Sequence, residues 1–227
     1  MQGEAMTDEL PEWLAKALSK PRMATYLAVA GGDAETAMRL YWWNVSASAA
    51  FYGPLHCLEV TLRNALHDEL VRHHGRPDWW VSAPLNSNGL RLVDEAREKC
   101  RRNGTSVVCA DGIVAELSFG FWISLVSGAR GYDRGFWVPV THKAFPHYSG
   151  RRAGLHDSLL SLVRFRNRIM HHEPVFHRHL AADHAKIYRV LGYLSPQLAK
   201  EAQAMDRFPA VLADRADVVG GVWPPRF

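Results

Sequence analysis

The densest set of chemically capable side chains is the run Arg164-Phe165-Arg166-Asn167-Arg168-Ile169-Met170-His171-His172-Glu173-Pro174. Histidine titrates near neutrality, so it can both take and give a proton. Arginine is permanently charged and grips a phosphate through two N–H groups at once. Asparagine can orient an imidazole ring or a phosphate oxygen. Arg166, Asn167 and His171 therefore suit a metal-free cleavage of RNA. In that reaction the ribose 2′-OH loses a proton, the leaving 5′-oxygen gains one, and the charge on phosphorus is stabilised. Asn167 and His171 are four residues apart and share a helix face. Arg166 and His171 are five apart, about 140° around an ideal helix. One chain thus offers a single well-placed imidazole for two proton transfers. The same Asn and His would equally serve to cap a helix C-terminus, where a cation is favoured. His172 and Glu173 follow directly, and Glu173 can hydrogen-bond either ring or pair with Arg168 or Arg178.

A second set is the polar stripe His56, Glu59, Arg63, His67, whose spacing puts all four on one helix face. On an otherwise apolar helix, Glu59 and Arg63, with Asn64, are expected behind the site, orienting Arg166 or His171. The plain alternative is a surface Glu–Arg pair worth a few tenths of a kcal/mol, about 0.3. Metal readings fail on spacing. His172-Glu173 and His177 are one residue too far apart for a zinc-protease motif, and Pro174 breaks the helix that motif needs. His177 and His179 lack further ligands nearby. No Walker-type phosphate loop and no serine elbow occurs. The expected site calls for no metal and no cofactor.

Charge is unevenly spread. The chain's net charge is +4, but residues 151–190 carry eight Lys and Arg against three Asp and Glu, with six of the twelve histidines. A concentrated basic segment is the footprint of a polyanion partner. Arg151, Arg152, Arg164 and Arg168 are the expected RNA contacts, the alternative being a solvated basic face. Most of the eight tryptophans fall at core spacing. Trp137, beside Arg130, Tyr132 and Arg134, is the best candidate for stacking on a base.

These residues need elements to position them. With 227 residues, 48% hydrophobic and 22% charged, the chain can bury a substantial core. No apolar stretch approaches a membrane span. The acidic N-terminus is not a signal peptide. Cys57, Cys100 and Cys109 offer no disulfide framework, so a cytoplasmic setting is expected. Periodicity is helical throughout and predicts an all-α fold. A short helix over Glu12–Leu18 should be closed by Pro21. Asp33 should cap a helix burying Met38, Tyr41, Trp42, Val45, Ala49 and Tyr52. After Gly53-Pro54 a helix to about His73 should bury Leu55, Leu58, Leu62, Leu66 and Leu70. A polar helix follows over Leu90–Arg102, then one capped by Asp111 that runs through Val114, Leu117, Phe121 and Leu125. Residues 128–150 are Gly- and aromatic-rich and fit no element. The basic segment should be a helix from Arg152 to about His172, burying Leu155, Leu159, Leu162 and Val163. Helices over Ala181–Leu194 and from Ser195-Pro196 complete a single domain of residues 1–205, with an irregular tail over 206–227.

Arg166-Asn167-x-x-x-His171 resembles the R-polar-x-x-x-H motif of the HEPN superfamily of all-helical ribonucleases. The longer run from Arg166 to Phe176 is similar to the Abi-like (abortive infection) branch of bacterial anti-phage proteins. So, in order, are Leu40-Tyr41-Trp42-Trp43-Asn44, Glu59-x-x-x-Arg63-Asn64, Trp79-Trp80 and Glu116-Leu117-Ser118-Phe119-Gly120-Phe121-Trp122. The resemblance covers roughly residues 20 to 195. It implies a HEPN-type helical bundle and a metal-independent endoribonuclease, toxin-like and active in phage defence. It implies Arg166, Asn167 and His171 as the catalytic residues, with two copies of the motif facing each other across a homodimer. It also makes a regulatory small RNA or a protein antitoxin an expected partner. The main alternative is a non-catalytic RNA-binding module.

Overall fold

The computed structural model describes residues 10–103 and 109–226, apart from the Arg130 side chain. The acidic N-terminal segment and Gly104 lie outside the described residues. Within them are twelve α-helices and no strand: α1 (Glu12–Leu18), α2 (Lys20–Val29), α3 (Ala34–Ala50), α4 (Tyr52–His74), α5 (Ser87–Arg102), α6 (Ala110–Glu116), α7 (Phe119–Ser124), α8 (Arg152–Met170), α9 (Leu180–Leu194), α10 (Pro196–Ala204), α11 (Phe208–Ala213) and α12 (Arg215–Val219). The protein is all-α. No described helix is long and apolar enough to cross a membrane.

The chain forms two compact units. One takes the chain up to Tyr52, His172–Ala181 and the chain from Asp206 onward. The other takes Gly53–His171 and Ala182–Met205. In the first unit α3 is central, packed by α2, α11 and α12. The Asp33 carboxylate accepts from Thr36 N–H at 2.7 Å and starts α3 as expected. The buried face differs from expectation. Ala37, Leu40, Trp43, Asn44, Ala47 and Ala50 are buried, while Met38, Tyr41, Trp42 and Val45 are half-exposed and Ala49 and Tyr52 exposed. This helix is apolar most of the way round, so hydrophobicity alone does not choose a face. The small residues do, because they let neighbouring helices approach.

Pro21 does not close α1. It lies in the first turn of α2, where its missing N–H has no intrahelical partner to lose. The break comes at Ser19, whose φ is 68°. The segment after residue 205 is not irregular. Asp206 accepts from Phe208 N–H at 2.8 Å and starts α11, and α12 follows. Phe208 stacks on Phe51 with ring centres 4.2 Å apart.

In the second unit α4 buries Leu55, Leu58, Leu62, Leu66 and Leu70, as the spacing requires. Each buried leucine contributes about 1.5–3 kcal/mol. Gly53-Pro54 occupies the first turn of α4, and the chain bends just before it, at Phe51. The expected helix capped by Asp111 is two helices. Cys109 Sγ accepts from Gly112 N–H at 3.4 Å and starts α6. Leu117 is extended, and Ser118 then caps α7 through Phe121 N–H at 3.3 Å. Helix α5 begins at Ser87, earlier than expected, because Asn86 caps it through Gly89 N–H at 2.9 Å. Trp79, Trp80, Phe121 and Trp122 form one buried aromatic cluster. Helix α8 buries Leu155, Leu159 and Leu162. Val163 is half-exposed, and Phe165 and Ile169 are buried in its stead. Residues 128–150 form two 3-10 turns and one π-helical turn.

Asn44 makes a sharp demand on the first unit. Its side chain is buried, and its Oδ1 accepts from Val175 N–H at 2.8 Å and Phe176 N–H at 3.1 Å. Truncation would leave two buried donors without an acceptor, at about 1–3 kcal/mol each. Asn44→Ala should therefore lower the unfolding free energy by about 2–4 kcal/mol, read as a shift in the urea midpoint. A change below about 1 kcal/mol would show that water replaces the amide.

Candidate functional site

Helix α8 continues its buried stripe into an arginine. Leu155, Leu159, Leu162, Arg166 and Ile169 follow one another at helical spacing, and only Arg166 among them is polar. A guanidinium there needs a carboxylate, and α4 supplies one. Arg166 Nε lies 3.3 Å from Glu59 Oε2, with the two side chains 33% and 28% exposed. The contact is an ion pair without hydrogen-bond alignment at Nε. Arg166 Nη1 also reaches Asn167 Oδ1 at 3.5 Å, a weak contact. Donors remain on the guanidinium for a ligand.

The end of α8 sets the rest. Its backbone closes at His171, whose N–H donates to Asn167 C=O at 2.9 Å. His172 then takes φ 56°, the left-handed conformation that terminates helices. Pro174 forbids continuation. Asn167, His171, His172 and Glu173 are all exposed. The His172 carbonyl accepts from Arg22 Nη1 at 2.6 Å. Together with the two Asn44 bonds, this holds the chain that leaves the helix.

The expected supporting stripe separates. Glu59 meets Arg166. Arg63 Nε donates to its neighbour Asn64 Oδ1 at 3.2 Å, and neither residue bonds Arg166 or His171. His67 serves the core: its Nδ1 accepts from Trp79 Nε1–H at 3.1 Å. Of the expected RNA contacts, Arg151 and Arg164 are exposed and Arg168 is half-buried. Arg152 donates from Nη1 to the Val126 carbonyl at 3.1 Å, so part of its capacity holds the fold. Tyr132 is buried, and the Arg130 side chain lies outside the described residues. Among the described residues, no three His, Cys, Asp or Glu side chains converge as metal ligands would. Sequence reasoning missed Arg22 and Asn44. Asn44 had a signal, a lone amide inside an apolar helix; Arg22 had none.

The arrangement gathers at one helix end an arginine oriented by a carboxylate, an asparagine one residue on, and an exposed imidazole one turn further. It can bind a phosphate and exchange one proton.

The His67 bond carries a pH dependence. The unprotonated Nδ1 is the acceptor, so the fold selects the neutral ring. Burial pushes the pKa below 6.5; Asp68 and Asp111 oppose this and Arg63 adds to it. A depressed histidine stabilises the fold fully above the unfolded value, and the contribution is lost as pH falls through the lowered folded value. His74 and His156 are also depressed by burial and act with the same sign. Urea unfolding should therefore show stability falling as pH drops below about 6.5, with a shallower fall in His67→Gln, which keeps an acceptor that cannot charge. Equal slopes in the two proteins would remove His67 from the account.

The chain matches no family model, no curated protein and no solved structure.

Proposed function

We propose that the protein is a metal-independent endoribonuclease of the HEPN type, acting in phage defence. One observation supports this reading most: Arg166, held by Glu59, stands beside Asn167 and one turn before the exposed His171. These are the residue types the reaction needs, in the order of the motif that the sequence resembles. Arg166 would hold the scissile phosphate and offset charge as it builds. His171 would take the 2′-OH proton as that oxygen attacks phosphorus. The 5′-oxygen leaves, leaving a 2′,3′-cyclic phosphate and, once protonated, a 5′-hydroxyl. Asn167 would orient the imidazole from one turn away.

Two proton transfers at one phosphate need two proton carriers or one that acts twice. A two-fold dimer would bring two α8 ends together and supply His171 from each chain, because each presents the same patch. Repulsion between two basic segments opposes that approach, and bound RNA relieves it. The competing reading, an RNA-binding module without catalysis, draws on the single imidazole of one chain. Cleavage of labelled RNA in EDTA separates the two.

His171→Ala should lose about 10²–10⁴ in cleavage rate while still binding RNA. Purified heterodimers of wild type with His171→Ala should be nearly inactive if both motifs act on one phosphate, and about half as active if each chain acts alone. Binding without cleavage by the wild type would leave the module reading.

Glu59→Gln should lower cleavage by about ten- to a hundredfold, by analogy with groups that orient metal ligands, with the thermal midpoint nearly unchanged. Normal activity in a folded Glu59→Gln protein would reduce the pair to a surface contact of well under about 1 kcal/mol.

A further inference from the structure

A recess of about 380 Å³ lies in the second unit, lined by Trp137, Val138, His142, Tyr148, Ser149 and Gly150. It is far from a core feature. Trp137 is half-exposed, Val138 is 67% exposed, and His142, Ser149 and Gly150 are exposed. The segment that lines it is basic. Arg134, Lys143, His147 and Arg151 are exposed, and Asp133 is the only acidic residue between 133 and 152.

The recess is built rather than incidental. Trp137 ends the π-helical turn Asp133–Trp137, closed by Val138 N–H on Asp133 C=O at 2.9 Å. Such turns are rare and often lie at functional sites. The Trp137 carbonyl is taken up by His142, whose Nδ1 lies 2.9 Å away. A carbonyl can only accept, so His142 Nδ1 carries a hydrogen and donates it. Buried Phe145 backs the indole, ring centres 6.2 Å apart. Opposite, Tyr148 leans on Tyr193 at 4.7 Å and donates its hydroxyl to the Arg151 carbonyl at 2.8 Å. That bond holds the turn that leads into α8. A side chain at Gly150 would collide with the Tyr148 hydroxyl, so glycine keeps this wall open.

A half-exposed indole, a second aromatic wall and exposed cations close by in sequence suit one chemistry: a flat base with a phosphate on either side. Stacking on aromatics beside a positive track is how single strands are held. We infer that this recess is a stacking subsite for a base of single-stranded RNA, with Arg134, Lys143 and Arg151 on the flanking phosphates. The inference rests on the proposed ribonuclease reading only for the identity of the strand. Arg151 precedes α8 and Arg166 lies 15 residues on, about 22 Å along the helix axis. A strand of the length that single-strand sites accept, about 4–16 nucleotides, would reach from the recess to the α8 end.

The probe is a fluorescent octaribonucleotide with 2′-O-methyl groups, which lacks the attacking hydroxyl and so reports binding alone. Trp137→Ala should weaken it about 5- to 100-fold, Trp137→Phe should bind nearly as wild type, and a duplex of the same sequence should not compete. Should Trp137→Ala fail to fold, the exposed pair Arg134→Glu with Lys143→Glu serves. Its binding should also fall, with the salt slope shrinking by about 1.4 for two lost contacts. Wild-type affinity in either folded variant overturns the subsite, as does a wild-type protein that does not bind the octamer. Failure of the enzymatic reading looks different. Octamer binding that depends on Trp137, with no cleavage of unmodified RNA in EDTA, leaves the subsite standing and removes the ribonuclease. His171-dependent cleavage with Trp137-independent binding does the reverse.

Discussion

An arginine on a core-facing helix stripe is a constraint that its neighbours must answer. Between Leu162 and Ile169, the hydrophobic pattern of α8 asks for an apolar residue at position 166. The guanidinium is 33% exposed, so water screens it and an unpaired charge there costs about 1 kcal/mol or less, far below that of a fully buried one. The carboxylate of Glu59, at 3.3 Å and about as exposed, is what orients it. Two leucine-striped helices, α4 and α8, are thereby tied to one relative rotation at this level. Sliding either by one residue would leave one charge facing leucine. The pair is thus a register device as well as a way of aiming the guanidinium. Its cost in desolvation is small because both groups retain some contact with water.

The second constraint is where α8 stops. The stop is over-determined. His172 adopts the left-handed conformation, Pro174 cannot extend the helix, and the backbone beyond is held by Arg22 and Asn44. A non-glycine residue at φ 56° carries a modest strain, commonly about 1 kcal/mol or more. It is kept because four interactions agree on it. The backbone after the stop is thus fixed at His172, Val175 and Phe176, one, four and five residues beyond His171.

What was legible in the sequence follows from how strongly each pattern excludes its alternatives. Five leucines at spacings of three and four on α4 admit one buried face, and the structure uses it. Caps at Asp33 and Ser195 were readable because a short oxygen-bearing side chain before an apolar run has few other uses. Helix α3 was not, because Met38, Tyr41 and Trp42 are as apolar as Leu40 and Trp43; the choice fell to the alanines. The turns of residues 128–150 and the two helices after Phe208 are too short for periodicity to register. In the candidate site, Arg166 and Glu59 were readable as charges on otherwise apolar helices, and exposed Asn167 and His171 only by residue type and spacing. The partner of Glu59 stays open in the sequence between Arg166 or His171 and a surface pair with Arg63, which sits at ideal intrahelical spacing and yet turns to Asn64. Local spacing narrows such a contact between distant helices to a few candidates and does not choose among them.

The polarity of α8 explains the distribution of its arginines. A helix presents partial positive charge at its N-terminus and partial negative charge at its C-terminus. A phosphate near Arg151 is attracted by both the side chain and the backbone. A phosphate near His171 is repelled by the last carbonyls, so side chains alone must hold it there. Arg164, Arg166 and Arg168 are clustered at that end, while the N-terminal end has Arg151 and an Arg152 partly committed to Val126. Three cations in the last two turns also favour the helix itself, by compensating the same carbonyls. Arginine is required over lysine at position 166, because only a planar fork can face Glu59 with one edge and keep N–H groups on another for a ligand. The cluster that makes the helix end stable is therefore also one suited to hold a phosphate, and Arg166 is the member set against Glu59.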